Sequence, residues 1–224
     1  NPDAPMKDSG IEWIGEIPCT SETIQLRFLI DFIESGVSVN AGQVEAPQGE
    51  AGVLKTSAVS RFVFDPHENK SVNYTELDRV KCPVLKDNII VSRMNTPELV
   101  GACGYVERDY PNLFLPDRLW QVHFVAEVNV KYIWYFLASK IVREYYASLS
   151  TGTSSSMQNI SQGQFAKVAV VLPDSHEQAR IVEQLDLKCS NIEKVISQKE
   201  AQVSKLTEYK KSLIYEVVTG KREV

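Results

Sequence analysis

Residues 175–224 read SHEQARIVEQLDLKCSNIEKVISQKEAQVSKLTEYKKSLIYEVVTGKREV, and this pattern predicts one long helix at the end of the chain. This stretch contains no proline, and its first glycine is Gly220. Apolar residues recur at alternating steps of three and four, which is the a/d pattern of a coiled-coil helix. Only two lysines break the apolar series of a/d positions. These positions are Val182, Leu185, Cys189, Ile192, Ile196, Lys199, Val203, Leu206, Lys210, Leu213 and Val217.

Both ends of this stretch carry helix signals. Ser175 and Gln178 form the pattern of a capping box just after a proline. Gly220 is a typical helix stop, and two basic residues follow it, where the negative end of the helix dipole lies. A helix over residues 175–219 would be about 65 Å long, which is longer than a domain of this size is wide. Part of the stripe is therefore expected to pack on another helix, although a helix lying along its own domain is the alternative. The residues expected to pair are Leu185, Ile192, Ile196, Val203, Leu206 and Leu213.

Composition divides the chain into an acidic part and a near-neutral helix. Residues 1–174 contain 15 Lys and Arg against 21 Asp and Glu, a net charge of −6. This balance argues against binding nucleic acid through bulk charge, so any such contact must come from a local cluster. We expect a globular domain over residues 1–174 and a spacer or dimerisation helix over residues 175–224.

Several classes of protein and site are disfavoured. No apolar run approaches the roughly 20 residues of a membrane helix, and no signal peptide is visible, so we expect a cytoplasmic protein without a membrane partner. The four cysteines include no CxxC pair and the three histidines stand apart, so we expect reduced cysteines, no metal site and no cofactor.

The pattern of residues 1–174 favours an α+β fold with a twisted, mostly antiparallel sheet. A strand that leads into a turn is expected at 52–59, and strands are expected at 89–91, 99–106, 119–125 and 168–172, while residues 23–33 are ambiguous between a strand and a helix. Asn129 is positioned to cap a helix over residues 130–148. Residues 75–80 are expected to form a short helical turn, and residues 149–163 a polar loop.

Several short motifs follow one another along the chain. They are KDSGIEWIGEIP (7–18), GVLKTSAV (52–59), NIIVSRMNTPELVGACG (88–104), LPDRLWQV (115–122), TGTSSSMQNIS (151–161), LPDSHEQARIVEQLD (172–186) and YKKSLIYEVVTGK (209–221). Taken in this order, they resemble the specificity (S) subunit of type I restriction-modification enzymes, and the resemblance extends over nearly the whole chain. The chain carries one recognition half and one helix, where family members usually have two of each. It is therefore expected to be a half-subunit that dimerises or a fragment of a longer chain.

This resemblance implies a non-catalytic role. The globular domain would read one half of a split site in double-stranded DNA, and the helix would pack antiparallel against a second such helix. The resulting rod would set the length of the unread spacer. Methyltransferase (M) subunits using S-adenosylmethionine and a restriction (R) subunit would assemble with it.

Candidate DNA-contacting residues are polar side chains that match base edges or phosphates. Arg93 and Asn95, with Thr96, follow a buried strand and precede Pro97. Lys55, Thr56 and Ser57 lie in the predicted strand and turn at 52–59 and are candidate phosphate holders or base readers. A Ser/Thr-rich stretch near residue 154 offers hydroxyl groups. Arg61 and Arg118 are weaker candidates. The full set is Lys55, Thr56, Ser57, Arg93, Asn95, Thr96, Ser154, Ser155, Gln158 and Asn159.

No catalytic motif fits the chain. Residues 64–67 (FDPH) lack the second proline and the aromatic residue of an adenine methyltransferase motif, and no GxxxxGK[ST] sequence is present. The alternative function is a coiled-coil adaptor whose globular domain binds protein, which the acidic charge favours.

Overall fold

The computed structural model describes residues 4–154 and 157–223, apart from the side chains of residues 153 and 154. By its contacts the chain separates into two compact units, Asn1–Ala179 and Arg180–Val224. The strands are β1 (Met6–Asp8), β2 (Glu16–Pro18), β3 (Glu22–Gln25), β4 (Ile30–Ser35), β5 (Gly52–Leu54), β6 (Asn69–Ser71), β7 (Pro83–Val84), β8 (Ile89–Ser92), β9 (Met94–Asn95), β10 (Cys103–Tyr105), β11 (Tyr110–Phe114), β12 (Leu119–Phe124), β13 (Thr151–Ser154), β14 (Met157–Asn159) and β15 (Ala169–Leu172). The α-helices are α1 (Val130–Leu137), α2 (Lys140–Leu149), α3 (Gln162–Ala166) and α4 (Ser175–Val218).

Two four-stranded sheets form the framework of the first unit. One has the order β10-β8-β12-β4 and the other β6-β5-β11-β7. Their pairings are antiparallel except for β11 with β5. Strand β8 is buried along its whole length, as its continuous Ile-Ile-Val run predicts, because it lies between β10 and β12. The predicted α+β class with mostly antiparallel sheets is confirmed.

A single hydrophobic cluster joins the two sheets. Leu54 and Val84 reach it from one sheet, and Ile90 and Leu119 reach it from the other. Each of these side chains is at most 3% exposed, so the two sheets share a core. This shared core fixes the ends of β5, β8 and β12, and with them the loops that follow.

Gln121 is a fully buried polar residue that ties the sheets together. Its Oε1 accepts a hydrogen bond from the Leu85 backbone N–H, and its Nε2 donates to the Pro83 carbonyl and to Glu34. Partial burial disfavours the charged Glu34 carboxylate, but hydrogen bonds from Gln121 and His123 outweigh that effect and lower the pKa of Glu34. Both the oxygen and the nitrogen of the buried Gln121 amide therefore have hydrogen-bond partners.

The ambiguous stretch at residues 23–33 is resolved as two strands. Strand β3 pairs with β15, and a 3-10 helix over Leu26–Phe28 leads into β4. Leu26 and Leu29 are buried at this bend. The mixed periodicity of the sequence thus reflects a strand, a short helical turn and another strand.

The single helix predicted over residues 130–148 is wrong, because the chain forms α1 and α2 with a break between them. Asn129 does cap α1, since its Oδ1 accepts a hydrogen bond from the Tyr132 N–H. Ser139 then adopts an extended conformation at the start of α2. Its hydroxyl makes no capping hydrogen bond, so the extended backbone at Ser139, and not a serine cap, divides one apolar stripe into two helices.

The strand predicted over residues 99–106 is shorter than expected. The Leu99 and Val100 amides both donate to the Thr96 carbonyl in a turn, and only β10 continues as a strand. Gly101 ends this turn at φ +79°, and a Cβ there would lie 2.7 Å from the Tyr146 ring. The glycine is therefore required both by the backbone and by the packing of α2.

The polar loop predicted over residues 149–163 is also wrong. Strands β13 and β14 form an antiparallel hairpin, and β14 pairs in turn with β9. Ser161 then starts α3 with a capping box, in which Gln164 is the partner. Few residues of the hairpin favour strands by themselves, so pairing with β9 decides its conformation.

The predicted long C-terminal helix is confirmed as α4, which has 44 residues. Its start differs from the predicted capping box, because the Asp174 carboxylate accepts a hydrogen bond from the Glu177 N–H in place of Ser175. Gln178 is buried and donates to the Pro173 carbonyl. At the other end, Gly220 has φ +71°, and the amides of Lys221 and Arg222 both bond to the Glu216 carbonyl.

Candidate nucleic-acid interface

The small sheet β13-β14-β9 brings together two segments that the sequence separates by about sixty residues. Asn95 lies opposite Gln158, and Met94 lies opposite Asn159. Beyond the ladder, the Ile160 N–H donates to the Arg93 carbonyl. Two of the predicted DNA-contacting groups therefore share one surface element.

Strand pairing places the predicted residues on opposite faces of this sheet. Directly opposed residues share a face, so Gln158 lies beside Asn95, and Asn159 lies beside Met94 on the other face. The Asn159 Oδ1 atom is buried and has no hydrogen-bond partner among the described residues. The Asn159 side-chain oxygen thus lies inside the fold, whereas Gln158 and Asn95 share the opposite face of the sheet.

Asn95 is held in a fixed orientation by short-range bonds. Its Nδ2 donates to the Ser92 Oγ at 3.2 Å, and its Oδ1 accepts from the Thr96 N–H at 2.9 Å. An amide side chain has two donor hydrogens and two acceptor lone pairs, so it keeps one of each for a ligand. Thr96 contributes its backbone to this arrangement, which orients the amide.

Arg93 is anchored by its backbone and by one nitrogen of its guanidinium group. Its N–H donates to the Arg118 carbonyl, and its Nε donates to the Asp117 carbonyl at 2.9 Å. Within the described part of the chain no carboxylate pairs with it. The half-buried guanidinium group is therefore oriented without being neutralised, and its two terminal amino groups are suited to a bidentate acceptor.

Asp117 and Arg118, whose carbonyls accept the hydrogen bonds from Arg93, also line a groove with a volume of about 460 Å³. Lys55, Thr56, Lys70 and Arg118 line it together with Asp117. The Asp117 carboxylate accepts a hydrogen bond from the Ser38 hydroxyl at 2.6 Å. Three cations and one hydrogen-bonded acid therefore line the groove, which makes it locally basic on an acidic domain.

Lys55 and Ser57 are linked through one carboxylate. The Lys55 Nζ lies 3.5 Å from Glu68, and the Ser57 hydroxyl donates to the same group. The hydrogen bond from Ser57 and the charge of Lys55 lower the pKa of Glu68. Ser57 is thus occupied internally, whereas Lys55 and Thr56 face the groove.

The other sequence candidates are distributed differently. Ser155 lies outside the described residues, and so does the side chain of Ser154. Arg61 pairs with Asp65 at 2.6 Å and does not line the groove. Arg118, a weaker candidate from sequence, lines the groove directly.

Sequence reasoning missed Lys70 and Asn40. Lys70 enters the groove because β6 pairs with β5, with Lys70 opposite Val53. No local motif marks this register, so no sequence signal identifies the lysine. Asn40 lies in the 36–52 segment, whose composition indicates only a loop.

Two negative findings apply to the described residues. No group of three or more His, Cys, Asp and Glu residues in them is arranged to hold a metal ion. None of their helices has the length and apolarity needed to cross a membrane.

Comparison with protein families gives one match across most of the chain. The model for the type I restriction modification DNA specificity domain matches residues 28–204. Among curated proteins, the chain is 25% identical over 173 residues to the type I restriction enzyme EcoEI specificity subunit of Escherichia coli. It is 27% identical over 161 residues to the EcoKI specificity subunit of Escherichia coli strain K12. These alignments cover 76% and 70% of this chain but only 29% and 34% of the relatives, so the chain spans about a third of their length.

Solved structures share the fold at low identity. A chain from a type I R-M system, solved for its assembly and conformational transition, matches 89% of this chain and 46% of its own length, with a TM-score of 0.64 and 15% identity. The type I S subunit from M. genitalium matches 79% of this chain and 41% of its own length, with a TM-score of 0.51 and 19% identity. The HsdS subunit from Thermoanaerobacter tengcongensis matches 84% of this chain and 40% of its own length, with a TM-score of 0.55 and 14% identity.

Proposed function

Because this chain belongs to the family of type I restriction modification DNA specificity domains, we propose that it is a non-catalytic sequence-specificity subunit of such a system. Its globular unit reads one half of a bipartite site in double-stranded DNA. Its helix pairs with a second helix and so separates two recognition domains. Methylation and cleavage belong to the M and R subunits, which assemble with it in the cytoplasm.

The link between Arg93 and the basic groove is the observation that carries this proposal. The carbonyls of Asp117 and Arg118 hold Arg93, and the same two residues line the groove with Lys55 and Thr56. A guanine reader thus lies next to phosphate-binding groups, which is the division of roles that a sequence reader needs. Gln158 and Asn95 add a pair of amides suited to adenine.

The overall acidity of the globular unit limits how it can bind DNA. Its net charge of −6 over residues 1–174 repels a duplex except near the groove. Lys55, Lys70, Arg93 and Arg118 supply local attraction. We therefore expect other subunits of the complex to neutralise much of the phosphate charge, and we expect this chain to supply mainly base recognition.

The second part of the proposal is a homodimer through α4. Ile192, Ile196, Val203 and Leu206 are each at least 50% exposed, although all four belong to the a/d stripe. A second copy of the chain is a suitable partner, because its helix has the same length and the same apolar stripe. An antiparallel two-fold pairing centred near Ser197 sets Ile192 against Val203 of the second copy, and it leaves no lysine opposite another lysine.

An adaptor that binds protein is the second candidate, since the acidic charge favours it. The groove argues against this adaptor function, because three cations and one hydrogen-bonded acid in one groove suit a phosphate backbone, and a protein-binding surface does not require them. The two functions predict different salt dependence. Binding to a duplex weakens steeply as salt rises, because counterions are released from DNA.

Methylome sequencing of a host that carries this chain with its modification partner tests the DNA function. We expect a two-part methylated adenine motif that disappears with Arg93→Ala. Arg61→Ala is the matched control, because Arg61 is an exposed arginine outside the groove, and it should leave the motif intact. Unchanged methylation with Arg93→Ala would remove Arg93 from the site, and the absence of any two-part motif would reject the function.

A further inference from the structure

A short 3-10 helix over Tyr74–Arg79 presents an exposed aromatic residue in the globular unit. Tyr74 is 88% exposed and Leu77 is 37% exposed. In a 3-10 helix, side chains three residues apart lie one above the other. Tyr74 and Leu77 therefore form one apolar ridge, while Glu76 and Arg79 share a different face.

This helix is fastened to the segment at residues 38–40. The Asn73 N–H donates to the Asn40 carbonyl, and the Asn40 Nδ2 donates to Glu76 at 2.9 Å. Arg79 pairs with Glu76 and donates to the Ser38 carbonyl. The ridge is thus held in position from its other face, which reduces the conformational entropy that a ligand contact would cost.

The same attachment sets the ridge beside the basic groove. Ser38 and Asn40 line the groove with Lys55, Lys70 and Arg118. A duplex whose phosphates contact those cations would also pass along residues 38–40, to which the 3-10 helix with Tyr74 is bonded. Asp78 lies on a third face of the 3-10 helix, in a row with Thr75, so its carboxylate is not in the row formed by Tyr74 and Leu77.

We propose that Tyr74 and Leu77 form a wedge that contacts DNA in the groove by packing on exposed bases at one base-pair step. This inference rests on the proposed DNA function and deepens it. Apolar wedges of this kind unstack a step and bend the duplex, and aromatic stacking tolerates any base because every base has a π-face. The wedge thus shapes the bound DNA, while Arg93 and Gln158 read its sequence.

Fluorescence anisotropy with the full chain in complex with its modification partner tests this wedge. The probes are a labelled duplex carrying the methylated motif and a duplex of scrambled sequence. We expect Tyr74→Ala to weaken binding to the motif duplex roughly 5-fold to 100-fold. Tyr74→Phe, which keeps the ring, should bind within about two-fold of wild type, since stacking requires only a π-face. Phe28→Ala is the matched control, because Phe28 is 59% exposed and does not line the groove.

The outcomes separate the wedge from the DNA function itself. If Tyr74→Ala binds like wild type while Lys55→Ala with Lys70→Ala weakens binding, the wedge is wrong and the groove stands. If Tyr74→Ala loses the modification partner in size-exclusion chromatography, the ridge is a protein contact and the inference is overturned. If the wild-type complex binds neither duplex, both the wedge and the DNA function fail.

Discussion

At the residue scale, Gln158 and Asn159 are equivalent in chemistry but not in position. Both are amides that match adenine, and both belong to β14. The pairing of β14 with β9 places Gln158 beside Asn95 on one face of the sheet and Asn159, whose Oδ1 is buried, on the other. Of the two neighbours, Gln158 is therefore the one that lies beside Asn95 and is the candidate for contact with a base edge.

We predict that Gln158→Ala weakens binding to the motif duplex by about 1–3 kcal/mol, because a bidentate base contact is lost. Asn159→Ala should leave the affinity of the folded protein unchanged, since its side chain faces inward. Anisotropy titrations measure the affinity, and thermal unfolding of both variants checks that they are folded. An equal loss of affinity in both variants would contradict the assignment of faces.

The sequence identified the residue types of the site but not their environments. Arg93 and Asn95 were predictable because a buried strand ends just before them and Pro97 follows. Lys70, Asn40 and Tyr74 were not, because their roles depend on the β5–β6 register and on hydrogen bonds between distant loops. A single exposed tyrosine has no sequence signature that separates it from any other surface residue.

At the scale of elements, α4 has one apolar stripe and a few apolar residues outside it. Ile192 lies in the a/d stripe, and Leu187 lies about 140° away around the helix. Both side chains are 58% exposed. The two residues therefore differ in position on the helix and not in accessibility.

We expect Ile192→Ser to weaken the homodimer by about 3–6 kcal/mol, because one buried isoleucine is lost from each chain. Leu187→Ser, which removes an equally exposed leucine from the other face, should leave the dimer unchanged. Sedimentation equilibrium of the full chain measures both dissociation constants. Equal weakening by the two substitutions would show that the stripe is not the contact surface.

Elements stabilised by their own periodicity were predictable, and elements stabilised by partners were not. The 44-residue helix α4 follows directly from its heptads. The β13–β14 hairpin was taken for a loop, because Gly, Ser, Gln and Asn carry little strand preference and its pairing with β9 supplies the missing stabilisation. The break at Ser139 was missed because the apolar spacing continues on both sides of it.

At the scale of the whole molecule, the proposed function joins a compact reader to a long helix whose stripe residues Ile192, Ile196, Val203 and Leu206 are exposed. The chain spans about a third of the length of its curated relatives, so the second helix of the rod must come from another polypeptide segment in this proposal. Antiparallel pairing with a second copy gives a two-fold axis and predicts that the two halves of the DNA motif are inverted repeats.

Electron paramagnetic resonance distances between spin labels on the full chain test this pairing most directly. A label introduced through a non-natural amino acid at Ser197 or at Lys211 spares the native cysteines, and both positions lie on the same outer row of the helix. Because the axis is near Ser197, we predict a distance of about 10–20 Å between labels at residue 197 and of about 40 Å between labels at residue 211. Equal short distances at both positions would show a parallel pair, and the absence of dipolar coupling at residue 197 would show an unpaired helix; either result would contradict the account.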